Sequence, residues 1–157
     1  MSDEDVNASE NDAVLSDEQK ALIERTEWSG RQVDWLLQWF VKLVGSLNIE
    51  IGITLTVGGS IISGNLVSHQ SYFDKLAEDV SAPFAKIASE ETAETMKNMI
   101  LAYKPGEPGA DDPASQYLHL KDCQLFTNGV QPTGSGALWR GKISAVDGFT
   151  LGRPVQS

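Results

Sequence analysis

Apolar residues recur along the chain with two different periods, and the places where the period changes divide it into elements. From Ser29 onward, Val33, Leu36, Leu37, Phe40, Val44 and Leu47 return at three- and four-residue steps, the spacing of one buried helical face. Ser29 is the expected N-cap. At about 100° per residue, Trp28, Trp35 and Trp39 fall together on nearly the opposite side, among Arg31, Gln38 and Lys42. A helix that is apolar on two faces needs two partners.

The period then becomes two. Ile49, Ile51, Ile53, Leu55 and Val57 alternate with Glu50, Gly52, Thr54 and Thr56, the pattern of a half-buried strand. Gly58-Gly59 supplies the positive φ angles of a tight turn, and residues 60–67 return as a second strand. Gly64 inside that return strand predicts a bulge or sharp bend. Residues 70–103 read as helical, with Pro83 ending one helix and opening the next. Three prolines and two glycines make residues 104–113 a loop. A third strand is expected over 117–126, a Gly-rich hairpin loop over 128–136, a fourth strand over 137–146, a turn at Asp147-Gly148 and a short last strand over 149–151.

Charge separates the N-terminal end from the rest. Residues 1–27 carry Asp3, Glu4, Asp5, Glu10, Asp12, Asp17, Glu18, Glu24 and Glu27 against Lys20 and Arg25, so most of the net −10 sits there. The segment has few large apolar residues and cannot offset its ordering entropy by burial. Residues 1–15 are therefore expected to be disordered, with Ser16 as N-cap of a short helix. The organisation that follows is an acidic, largely disordered arm (1–27) and one α+β domain (28–157) with a helical and loop insertion over 70–115. An acidic arm before a nearly balanced body is a poor match for phosphate backbones or an anionic membrane surface, so no nucleic acid is expected as partner.

Residues 43–67 hold Glu50 as their one charge. Gly58-Gly59 splits that run and its first half alternates, so no membrane insertion is expected. Met1 leads into acids, which predicts no signal peptide, and the single Cys123 points to a reducing compartment and a cytoplasmic protein.

Little in the chain points to catalysis. Nucleophilic chemistry needs a base beside the nucleophile, and the bases on offer are His69, beyond a strand end, and His119, in mid-strand. Two isolated His and one Cys form no metal-ligand spacing, so neither metal nor cofactor is expected. Residues 136–143 match G-x-x-x-x-G-K by count, but Ile143 takes the hydroxyl position and the segment reads as strand, so the phosphate-loop context fails. Trp28, Trp35 and Trp39, with Arg31 and Lys42, form the candidate interaction face unless the 70–103 helices cover it. The acidic arm has two readings, a solubilising one and docking to a basic partner.

Two resemblances add to this. Residues 117–122 and the run Leu138-Trp139-Arg140-Gly141-Lys142-Ile143 through Val146-Asp147-Gly148-Phe149 to Gly152 resemble the closing strands of the gas vesicle accessory protein U family. Ser63-Gly64 and Tyr72-Phe73-Asp74-Lys75-Leu76 resemble its first half, with the arm, the Trp helix and the Pro/Gly loop outside the match. The resemblance implies an intracellular, non-enzymatic accessory factor that acts in vesicle assembly or clustering. Its partners would be vesicle shell or other accessory proteins and further copies of itself, with no catalytic residues or cofactor. Trp139, Arg140, Gly141, Asp147, Gly148 and Phe149 are the motif residues that carry it.

The order of elements is also similar to Sm-like small barrels, in which a helix caps a bent five-stranded sheet and subunits often join edge strands into rings. The expected fold class is accordingly α+β: a small antiparallel β-barrel or strongly bent sheet of about five strands, capped by an N-terminal helix, with a helical insertion between strands two and three. The chain departs from those barrels in that insertion and in lacking their Asp-x-x-x-Asn base-binding pattern, since Asp74 is followed by Lys75-Leu76-Ala77. The alternative function from this side is a module binding single-stranded RNA through Arg140-Gly141-Lys142. An enzyme using His69 or His119 is the third.

Overall fold

The computed structural model describes residues 15–109, 111–128 and 136–154, without the side chains of residues 26–32. It divides into two compact units, 1–33 and 34–157. The first contains helix α1, Asp17–Gln32. Ser16 starts it as expected: its Oγ accepts from the Gln19 N–H at 3.2 Å while its own N–H donates to Gln19 Oε1 at 2.9 Å, a reciprocal cap. Of the residues expected to be disordered, 1–14 lie outside the described residues, as do 129–135 of the Gly-rich hairpin loop.

The second unit runs α2 (Trp35–Leu47), β1 (Ile51–Val57), β2 (Ser60–Val67), α3 (His69–Ile87), α4 (Glu90–Leu101), β3 (Tyr117–Phe126), β4 (Ala137–Lys142), a short 3-10 turn (Ile143–Ala145) and β5 (Gly148–Leu151). The helix expected from Ser29 does not start there. Asp34 caps α2 instead, with Oδ1 accepting from the N–H groups of Leu36 and Leu37 at 2.9 and 3.2 Å. A carboxylate that satisfies two orphan donors is a strong helix start, and it interrupts the apolar period at Val33. The single stripe of Trp28, Trp35 and Trp39 assumed one continuous helix, so it does not hold.

The five strands form one antiparallel sheet in the order β4-β3-β2-β1-β5. This is an α+β fold with the helical insertion, α3 and α4, between β2 and β3 as expected. The sheet is not closed into a barrel. β4 pairs with β3 and β5 with β1, and the two edges do not pair with each other. The fourth strand stops at Lys142 because the chain there enters the 3-10 turn. The backbone N–H groups of Ile143 and Asp147 donate to Gln116 O and Thr56 O, which continue the β3–β4 and β1–β5 pairings into the turn.

Strand alternation sends Ile53 and Leu55 of β1 and Ile62 and Leu66 of β2 to one face, where all four are buried with Leu118 and Leu120 of β3. Helix α2 packs against β2 and buries Leu37, Val41 and Val44. Phe40 of α2 also lies edge-on to Phe149, 6.0 Å between ring centres, and Phe149 is the register partner of Leu55.

The bend expected at Gly64 is present. Ser63 pairs with Gln124 and Asn65 with Lys121, which leaves Gly64 opposite both Asp122 and Cys123. Asp122 takes the left-handed conformation, φ 49°. A Cβ on Gly64 would lie 3.0 Å from the Lys121 carbonyl and 3.1 Å from Leu120 Cβ, so only glycine fits against this bulge. Cys123 is fully buried beside it, and burial pushes its thiol up to about 11.

Helix α3 starts on Ser68, whose Oγ accepts from the Ser71 N–H, and it runs through Pro83 to Ile87. The break expected at Pro83 falls instead at Ser89, which caps α4 through its Oγ and the Thr92 N–H at 3.1 Å. Pro83 is exposed, so its missing N–H costs one helical bond at a wet surface, less than a chain reversal would. Among the described residues no helix is long and apolar enough to cross a membrane.

Candidate functional site

Helix α2 has two working faces. Leu37, Val41 and Val44 are buried, and Trp35, Gln38, Trp39, Lys42 and Gly45 fall on another side at the three- and four-residue spacings 35/38/42/45 and 35/39/42. These residues form one wall of a groove of about 540 Å³. The other wall is the Pro/Gly loop, with Pro105, Pro108 and Pro113, and the start of α3 closes one side with His69 and Gln70. Trp35 is 59% and Trp39 50% exposed.

Two side-chain amides hold the loop in place. Gln38 Nε2 donates to the Ser115 carbonyl at 3.0 Å, and Gln70 Nε2 donates to the Gly106 carbonyl at 2.6 Å. Proline cannot donate and fixes its own φ, so a loop with three of them needs few such bonds to keep one shape. The groove is thus walled by rigid aromatic and pyrrolidine rings, with the Lys42 ammonium and the Asp112 carboxylate as its charged groups. The Pro/Gly loop lines the groove with Trp35 and Trp39, and Gln70 is the residue of the 70–103 helices that joins it there. Trp28 and Arg31 belong to α1, and their side chains lie outside the described residues.

A second cluster, polar and buried, lies around His119. Its ring is 2% exposed and sits between Tyr72, 4.2 Å between ring centres, and His69, 4.6 Å. Arg140 Nε donates to His119 Nε2 at 3.1 Å. An arginine nitrogen can only donate, so Nε2 accepts and the neutral ring carries its proton on Nδ1, which has no hydrogen-bond partner among the described residues. Burial, then the neighbouring His69 and Arg140, lower the His119 pKa to about 3. The His69 pKa is lowered as well, chiefly by burial, against a smaller opposing effect of the Tyr117 backbone.

Nothing in the spacing of His69 and His119 announced that the fold would bring them together. Ser115 also reaches His69, with Oγ 3.1 Å from Nε2. That hydroxyl donates its proton to the Tyr117 carbonyl at 2.8 Å, so it accepts from His69. The contact orients the serine without activating it.

The motif residues near the C-terminus have separate positions. The Trp139 indole lies over Gly141, where a Cβ would come within 2.1 Å of the ring. The Arg140 guanidinium is 4.1 Å from the Tyr117 ring centre, a cation–π contact. Asp147 clamps the β1–β2 turn: its N–H donates to Thr56 O, and its Oδ2 accepts from the Gly58 N–H, both at 2.9 Å. Gly148 pairs with Thr56 and Phe149 packs on Phe40. The structure thus joins Trp35, Trp39 and Lys42 in one groove and distributes the motif residues along β4, the turn and β5. Residues 136–143 include β4 itself, followed by the three-residue 3-10 turn and β5 and not by an α-helix. Among the described residues no three His, Cys, Asp or Glu converge as they would on a metal.

No curated protein and no solved structure matches the chain. A family model described as gas vesicle protein GvpU-like matches residues 34–154. The match starts on Asp34, the cap of α2, and takes in the Trp helix and the Pro/Gly loop, which lay outside the resemblance read from the closing strands. It covers nearly all of the second unit and none of α1. With more than half its length matched, the chain belongs to the GvpU-like family of gas vesicle proteins.

Proposed function

We propose that this protein is a non-enzymatic accessory factor of gas vesicles, working in the cytoplasm on vesicle assembly or clustering. It acts through contacts with shell or other accessory proteins and with further copies of itself, and uses no cofactor. The observation that carries the reading is the groove of Trp35, Trp39 and Lys42 within the family-matched region. Two half-exposed indoles held on a capped helix against a proline wall are rigid anchors of the kind that dominate protein interfaces, since they bury large area at small entropic cost. Several copies on one surface would bind by avidity without needing a deep pocket. The acidic arm and the open sheet edges supply further contacts.

The test is Trp35→Ala combined with Trp39→Ala, followed by light scattering and by co-sedimentation with purified gas vesicles. The variant should keep its circular dichroism and lose oligomeric mass, vesicle binding or both. Unchanged behaviour in both assays defeats the proposal.

A further inference from the structure

Arg140 is held by uncharged groups and not by a carboxylate, unlike three of the lysines of residues 34–157. Lys75, Lys104 and Lys121 face the carboxylates of Asp79, Asp74 and Glu50, and Arg153 donates to the Asp122 carbonyl. Arg140 has no carboxylate partner among the described residues. Its Nε is taken by His119 and its plane rests on Tyr117, so two contacts fix the guanidinium, and its terminal N–H groups have no hydrogen-bond partner among the described residues. Lys142, two residues on, projects from the same face of β4, is exposed and has no ion pair among the described residues. β4 is an outermost strand, so one side of its backbone pairs with no strand among the described residues. Around it the charge reverses: residues 114–157 carry Lys121, Arg140, Lys142 and Arg153 against Asp122 and Asp147, in a chain of net −10.

We propose that this edge receives the acidic N-terminal segment, residues 1–14, of a second copy of the chain. The segment joins β4 as an added strand and pairs its carboxylates with Arg140 and Lys142. It holds Asp3, Glu4, Asp5, Glu10 and Asp12 and no basic residue. In an extended chain Asp3 and Asp5, or Glu10 and Asp12, fall on one face two residues apart, which is the spacing of Arg140 and Lys142. A guanidinium already held in place loses little freedom when its fork takes a carboxylate. Main-chain bonds along the edge give the contact its affinity and the two cations give it selectivity for acidic segments. Each copy carries one segment and one edge, so the contact is head-to-tail and propagates from copy to copy. This deepens the self-association part of the proposed function and rests on it.

Two full-length variants test it by sedimentation velocity across a range of concentrations. One neutralises the segment (Asp3→Asn, Glu4→Gln, Asp5→Asn, Glu10→Gln, Asp12→Asn) and the other the edge (Arg140→Gln, Lys142→Gln). Each alone should weaken self-association by about tenfold or more, the scale of losing a charge-assisted pair. An equal mixture should recover pairs but not longer chains, because the edge variant's segment docks on the segment variant's edge and neither copy then has a working site left to extend. Lys142→Gln alone, which leaves the His119 contact intact, should give a partial loss and guards against a folding defect in Arg140→Gln.

A mixture that stays dissociated overturns the proposal. So does a segment variant whose β4 amide exchange changes at constant mass, which would mean docking within one chain. Salt-sensitive binding of a short single-stranded RNA that the edge variant abolishes would assign the cations to phosphate and overturn it as well. A wild-type chain that stays monomeric defeats the self-association reading together with this one. Association that survives the edge variant but not Trp35→Ala with Trp39→Ala defeats this inference alone.

Discussion

The surroundings of His119 and the groove beside α2 depart from ordinary burial in opposite directions. At His119 a polar ring is fully enclosed and in the groove two indoles stand half in water. Enclosing the imidazole is tolerated because Arg140 satisfies one nitrogen and the aromatic rings of Tyr72 and His69 pack the rest. Everything that compensates it lies within residues 34–157. The indoles have a proline loop on one side and solvent on the other, so their apolar area is offset only when something covers it. A buried polar group matched from inside marks architecture, and exposed apolar groups on a rigid frame mark contact.

The largest effect should come from acid. Burial holds the His119 pKa near 3 in the folded chain against an ordinary value of 6.5. Between those limits the unfolded chain binds the proton that the folded chain refuses. The stability is therefore complete above pH 6.5 and drains away as the pH falls toward about 3, by about 1.4 kcal/mol for each pH unit from this residue. His69, lowered in the same direction, adds to the loss. Urea unfolding at a series of pH values measures the slope, and a flat profile from pH 6.5 to 4 would refute it.

A smaller effect is expected from His119→Phe. The change removes the unpartnered Nδ1–H, and Arg140 is exposed enough to turn its Nε to water. Stability at pH 7 should move by no more than about 1 kcal/mol in either direction, as when both the partner and the buried polar atom are removed together. The acid slope should shrink at the same time. Loss of several kcal/mol at neutral pH would make the cluster more than packing.

The groove should yield less than the core. Trp35→Ala with Trp39→Ala should cost less unfolding free energy than a pair of core truncations, because about half of the removed area is already wet. A drop on the scale of such a pair would show that the indoles hold the loop, and the contrast between the two regions would collapse.

Much of this fold was legible in periodicity. The third strand has the limits that its residues 117–126 predict, and Gly58-Gly59 turns the hairpin where the alternation breaks. The errors are local competitions that periodicity does not weigh. Asp34 outbid the apolar repeat around Val33 by capping two donors, and Pro83 stayed inside α3 because its surroundings are solvent. Barrel closure, expected from the order of elements, did not follow: β4 and β5 stay the two edges of the sheet. The His69–His119 contact was not legible, since residues so far apart meet only once α3 has packed on β3. Half of the groove was legible as the second face of α2. The proline wall opposite it was not, because composition marks a loop without saying where it lies.

Cys123 has a practical consequence of its own. It is the only cysteine in the chain, fully enclosed next to the Gly64 bulge, with its thiol pushed up to about 11. Only the thiolate reacts with alkylating reagents, and at neutral pH the enclosed group is almost never ionised. Modification of the native chain therefore has to wait for the strands around it to separate. The rate at which a maleimide attaches becomes a clock for that separation, readable by mass at one site with no probe added. Timed with and without a bound partner, it would show whether contacts made at the groove or the sheet edge tighten the core.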